Sequence, residues 1–116
     1  MASKGNKRRG VQEDPHYPLD EVKQLISDGR FKIPHVTQLK TRRELGWTVR
    51  EVTEAILMLT PQDFHKRDQE GKPPWGVLDF YKPKRKIKGE LVYIHFSIND
   101  EDFLIIDSCH KQERSR

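Results

Sequence analysis

The sequence predicts an α+β domain with its helices on one face of a small antiparallel sheet. Up to residue 59, apolar residues recur at helical spacing in runs bounded by capping signals. From residue 77 onward the pattern changes to alternation with period 2, interrupted by turn-forming residues. Helices first and strands afterwards is the ordering of an α+β domain.

Pro18 opens the first helix at a position proline tolerates, and Asp20 and Glu21 follow where the helix dipole favours them. Leu19, Val22, Leu25 and Ile26 form its apolar stripe, and Gly29 stops it. Residues 30–33 read as a short extended link before Pro34. A second helix is expected over residues 36–45, ended by Gly46. Thr48 and Glu51 form a capping box for a third, whose Val49, Val52, Ile56, Leu57 and Leu59 make it the most apolar of the three. Pro61 starts a further short helical turn, expected to present Phe64, His65 and Lys66.

Residues 67–76 form a charged loop with Gly and Pro, and residues 77–81 a short strand. The central strand spans residues 90–98. Val92, Ile94, Phe96 and Ile98 face one way, predicted to pack against the third helix, and Tyr93, His95 and Ser97 the other. Residues 99–102 turn the chain into a third strand over residues 103–107. A single domain over residues 15–111 follows, between a basic disordered tail at 1–14 and a polar tail at 112–116.

Composition narrows the function classes. The chain has 116 residues, 34% hydrophobic and 34% charged, with one cysteine, Cys109, which leaves no internal disulfide and no cysteine-based metal cluster. No apolar run approaches a membrane span and no secretory segment is visible, so a cytoplasmic location is expected. Residues 1–10 carry +4 and residues 111–116 carry +2, more than the whole net charge of +4, so the stretch between them is slightly acidic. Lys82, Lys84, Arg85, Lys86 and Lys88 are the exception, five cations in seven residues within the folded part. Beside them lies a strand face able to donate, accept or move protons, and the pairing points to phosphate chemistry. Asp79, His95 and Asp107 could converge, but they lack the tight spacing of a metal site, and no metal or cofactor is expected.

Several segments, in order, resemble the MqsR family of toxins. Residues 59–66, Leu-Thr-Pro-Gln-Asp-Phe-His-Lys, are similar to the family pattern Leu-x-x-x-Asp-Phe-Tyr-Lys. Trp75 and residues 79–83, Asp-Phe-Tyr-Lys-Pro, stand where the family has Trp-Gln-Asp-Val-Tyr-x-Pro. Residues 19–26 and 44–46 resemble its first helices, residues 89–94 its Gly-x-x-Tyr-x-Lys strand, and residues 103–111 its terminal strand. The resemblance implies a RelE-like fold, metal-independent cleavage of mRNA and control by a cognate antitoxin.

It also implies site residues. Lys66 stands at the family lysine and Tyr93 at the strand tyrosine, whereas His95 and His110 replace lysines and Leu78 replaces a glutamine. The catalytic set is therefore Lys66, Tyr93, His95 and His110. His95 is the best single acid or base because imidazole titrates near neutrality. His65, Tyr81, Lys82, Lys84, Arg85, Lys86 and Lys88 are the expected RNA contacts, with His65 also an acid candidate. The alternative is a non-catalytic RNA- or partner-binding relative with the same fold.

Overall fold

The computed structural model describes residues 14–68 and 76–113. Except for Asp14, the basic tail lies outside them, as do Trp75, most of the 67–76 loop and residues 114–116.

Three helices lie in the first half of the chain. α1 (Leu19–Ser27) follows Pro18 and buries Val22, Leu25 and Ile26. Asp79, from a strand sixty residues on, accepts the backbone N–H groups of His16 and Tyr17 at 3.0 and 2.9 Å and so anchors the approach to α1. α2 (His35–Leu45) ends at Gly46, whose φ of 72° is the left-handed cap glycine tolerates. α3 (Val49–Leu57) begins at the expected capping box, with the Thr48 N–H donating to Glu51 Oε1 at 2.8 Å. Its buried stripe is Val52, Ala55 and Ile56, continued by Leu59, while Val49 and Leu57 are exposed. No described helix is long and apolar enough to cross a membrane.

The sheet has five strands, two more than expected. These are β1 (Phe31–Lys32), β2 (Phe64–Asp68), β3 (Leu78–Tyr81), β4 (Val92–Ile98) and β5 (Leu104–Lys111), in the order β1-β5-β4-β3-β2. All neighbours are antiparallel except β1 and β5. The link before Pro34 supplies β1. β2 corrects the expected helical presentation of Phe64, His65 and Lys66, because the helical turn closes at Asp63 and the chain then pairs with β3. Its polar sequence has no alternation of its own, and only this long-range pairing makes it a strand.

Val92, Ile94 and Phe96 are fully buried in a core that also holds Val52, Ala55 and Ile56 of α3. The alternation loses phase at the strand's end, where Ser97 is buried and Ile98 only half-buried, beyond a bulge in the pairing with β5. Bulges add twist and change which face a side chain meets. α2 covers the stretch of β5 that the two-residue β1 does not reach. Thr37 and Thr41 donate their hydroxyls to the carbonyls of Asp107 and Cys109 at 2.9 and 2.8 Å, one helical turn apart against alternate residues of the strand. Gln112, at the start of the expected polar tail, donates its side-chain amide to the carbonyls of Pro83 and Val92.

Candidate active site

The face of the sheet turned away from the core carries a layer of rings. Phe80 of β3 and His95 of β4 are paired and stack with centroids 4.4 Å apart. Tyr93 meets Phe80 at 5.7 Å, His65 at 5.8 Å and His110 at 5.6 Å. The rings of His95 and His110 are 6.3 Å apart and nearly perpendicular. Two cations lie over this layer, Lys66 with Nζ 5.1 Å from the Phe80 ring and Lys82 with Nζ 5.9 Å from the Tyr93 ring.

Two bulges shape the layer. In β2 the register slips between Phe64 and Lys66, so His65 is the extra residue, and Phe64 stays in the core while Lys66 pairs with Phe80. In β5 it slips opposite His95 and Phe96, and Asp107 is extra. A bulge breaks the alternation that would otherwise send neighbouring residues to opposite faces. Asp107 Oδ2 comes within 3.0 Å of His95 Nδ1, although the alignment is too poor for a formed hydrogen bond. An open cleft of about 550 Å³ lies between α2 and this end of the face, lined by Lys40 and Glu44 on one side and by His95, Asp107, Ser108 and His110 on the other.

The electrostatics divide the titratable groups. Burial lowers the pKa of His95, and His110 and Lys66 add to the shift, against the opposing pull of Asp107. His65 is lowered by burial and by Lys82 and Lys66. Burial raises the Tyr93 phenol, which therefore keeps its proton at neutral pH. The Nδ1 of His110 sits 2.7 Å from the carbonyl oxygen of Lys111. A carbonyl only accepts, so the proton of neutral His110 belongs on Nδ1 and Nε2 remains available.

The fold thus gathers Lys66, Tyr93, His95, His110, His65 and Lys82 on one surface. Other expected contacts separate. Tyr81 is fully buried between Phe64 and Phe96, so it is set aside as an RNA contact. Arg85 is spent on Asp63, which its Nη1 reaches at 2.6 and 2.8 Å, and on the Met58 carbonyl. Lys88 pairs with Glu54 at 2.9 Å, and Ile87 between them is fully buried. Lys84 and Lys86 are exposed, Lys86 in a separate groove with Lys111 and Gln112. Asp79 points into the buried side and does not converge with His95 and Asp107. Phe80 is an addition that sequence reasoning did not place in the site, and Asp107, weighed there only as a metal ligand, joins it beside His95. The hairpin register would have revealed Phe80, but no local signal marks the bulge at Asp107.

The architecture is that of a one-sheet α+β domain with a titratable open face. Residues 14–109 match the model of the family described as motility quorum-sensing regulator, toxin of MqsA. The chain belongs to this MqsR toxin family, and its helices preceding a five-stranded sheet are consistent with the RelE-like fold. It is thereby placed among the toxins of toxin–antitoxin pairs. No curated protein matches the chain.

Proposed function

We propose that this toxin is an endoribonuclease that cleaves mRNA through the substrate's own 2′-hydroxyl, using side chains alone. One observation carries the proposal: two histidines with ring centres 6.3 Å apart share a face with Tyr93 and Lys66. Cleavage needs a base for the 2′-hydroxyl proton, positive charge and donors for the phosphate, and an acid for the departing 5′-oxygen.

His95 suits the base, since its lowered pKa keeps it neutral at pH 7. It takes the proton as the 2′-oxygen attacks phosphorus. Protonated His110, its Nδ1–H held by the Lys111 carbonyl, gives the Nε2 proton of its imidazolium to the 5′-oxygen as the P–O5′ bond breaks, leaving a 2′,3′-cyclic phosphate and a 5′-hydroxyl. Lys66 offsets the phosphate charge, and Tyr93, still protonated, donates to a non-bridging oxygen. His65 and Lys82 border the same surface and hold the flanking RNA. The partner is a cognate antitoxin, and the place of action is the cytoplasm, where the mRNA is.

The test is cleavage of a naked transcript in EDTA, with the product ends mapped. Cyclic phosphate and 5′-hydroxyl ends support the reading. An intact transcript, from protein that still binds RNA, would favour the non-catalytic alternative.

A further inference from the structure

We infer that Asp107 is a positioning residue that holds the imidazole of His95 with its proton on Nδ1 and its free Nε2 turned to substrate. The inference rests on the proposed cleavage for its consequence, but not for its geometry. Asp107 reaches His95 only because β5 carries one extra residue at that point. The bulge is itself held, since the Thr37 hydroxyl of α2 donates to the Asp107 carbonyl at 2.9 Å. On its flank, His95 is fixed by the stack on Phe80. One wall orients the ring plane and the other selects the nitrogen that carries hydrogen.

The chemistry follows from what a carboxylate can do. Ionised Asp107 has only acceptors, so the neutral imidazole beside it is stabilised with hydrogen on Nδ1. That leaves the Nε2 lone pair to take a proton from a 2′-hydroxyl, and the carboxylate then stabilises the imidazolium that forms. This is the logic by which an aspartate orients a histidine base in hydrolytic triads. The 3.0 Å approach is close enough for the hydrogen bond to form on a small rotation, as is common before substrate binds.

Other charges bear on the same ring. His110 and Asp107 face it from β5 and Lys66 from β2, while Lys40 and Glu44 line the adjoining cleft from α2. Among the described residues, the Asp107 carboxylate is the charged group placed at Nδ1, 3.0 Å away, so its removal is expected to change the tautomer.

The experiment is imidazole nitrogen NMR of the full chain without RNA, comparing wild type with Asp107→Asn, the His95 signals being assigned from His95→Gln. In wild type, Nδ1 of neutral His95 should be the protonated nitrogen. In Asp107→Asn the tautomers should mix, and the pKa of His95 should fall further, by roughly one unit. Cleavage should drop on the order of 10²-fold in kcat with little change in KM, and its acid limb should move to lower pH. Asp107→Glu should restore part of the tautomer preference, and it also serves if the asparagine variant folds poorly. Wild-type His95 protonated on Nε2, or an Asp107→Asn spectrum and pH profile like wild type, would overturn the inference. If wild type cleaves nothing, the ribonuclease reading fails, while the NMR result still decides the pairing.

Discussion

The open face of the sheet and the turn over residues 82–89 lie side by side, and both are rich in ionisable groups, yet the fold treats them in opposite ways. The face concentrates its groups. Three histidines, a tyrosine and Lys66 meet from β2, β4 and β5. The turn disperses them. Arg85 goes to Asp63, Lys88 to Glu54, Lys82 to the edge of the ring layer and Lys86 to another groove. The reason is backbone geometry. A pleated strand sends alternate residues to one side, and its neighbours do the same in register. A turn sends successive side chains in different directions. Here its tip is a two-residue reversal with positive φ at Lys88 and Gly89, closed by paired bonds between Ile87 and Glu90. A run of cations on a turn therefore counts charges without fixing where they act.

The largest effect should come from the centre of the face. His95→Ala is expected to lower the cleavage rate on the order of 10²–10⁴-fold, the usual worth of a positioned acid or base. The acid limb of the wild-type pH profile should lie below pH 6.5, the ordinary histidine value. The sign follows from the base having to be unprotonated, because a lowered pKa keeps it so at lower pH. A parental rate in a folded His95→Ala protein would move the proton chemistry to His65 or His110.

The preceding residue on the same strand provides the contrast in stability. Ile94 is fully buried on the opposite side of β4. Ile94→Ala should cost about 2–5 kcal/mol in denaturant unfolding, a core truncation that leaves a cavity. His95→Ala should cost much less. Equal losses from both would mean that the open face is a second core.

What the sequence makes legible follows the same division. The period of residues 90–98 correctly separates Ile94 from His95, because alternation is local. Capping residues locate the helices for the same reason. β2 was not legible, since its sequence Phe-His-Lys-Arg-Asp becomes a strand only through pairing with β3. Nor was Asp107, whose position depends on a bulge and on the Thr37 hydroxyl seventy residues away. The burial of Tyr81 is half legible, since alternation sets it opposite Phe80, but which of the two faces the core depends on the register with β4.

Arg85 offers a smaller effect that separates a structural cation from a binding one. Burial raises the Asp63 carboxyl, but the Arg85 guanidinium and the Thr60 N–H outweigh it and hold it below the usual aspartate value. Arg85→Ala should cost about 1–2 kcal/mol, low in the range for charged hydrogen bonds because Arg85 is half exposed. Asp63's contribution is present above the unfolded aspartate pKa, about 3.9, and is lost as pH falls through the lower folded value. The stability gap between variant and parent should therefore close in acid. A gap unchanged down to pH 2 would assign the loss to packing instead.

The smallest effect is a slope. Neutralising one cation that holds a phosphate of single-stranded RNA flattens the dependence of log affinity on log salt by about 0.7. Lys82 stands at the ring layer and is expected to hold such a phosphate, so Lys82→Ala should flatten the slope by about that amount. Arg85 and Lys88 are engaged within the fold, and neutralising either should leave the slope nearly parental. Lys84 and Lys86 are exposed, and their variants decide how far the RNA runs beyond Tyr93. A flattening in both extends the track along the turn, whereas a change at Lys84 alone keeps RNA out of the groove beside Lys86. Lys82→Ala with an unchanged slope would take the turn out of the site altogether. The ring layer with Lys66 would then carry all the binding.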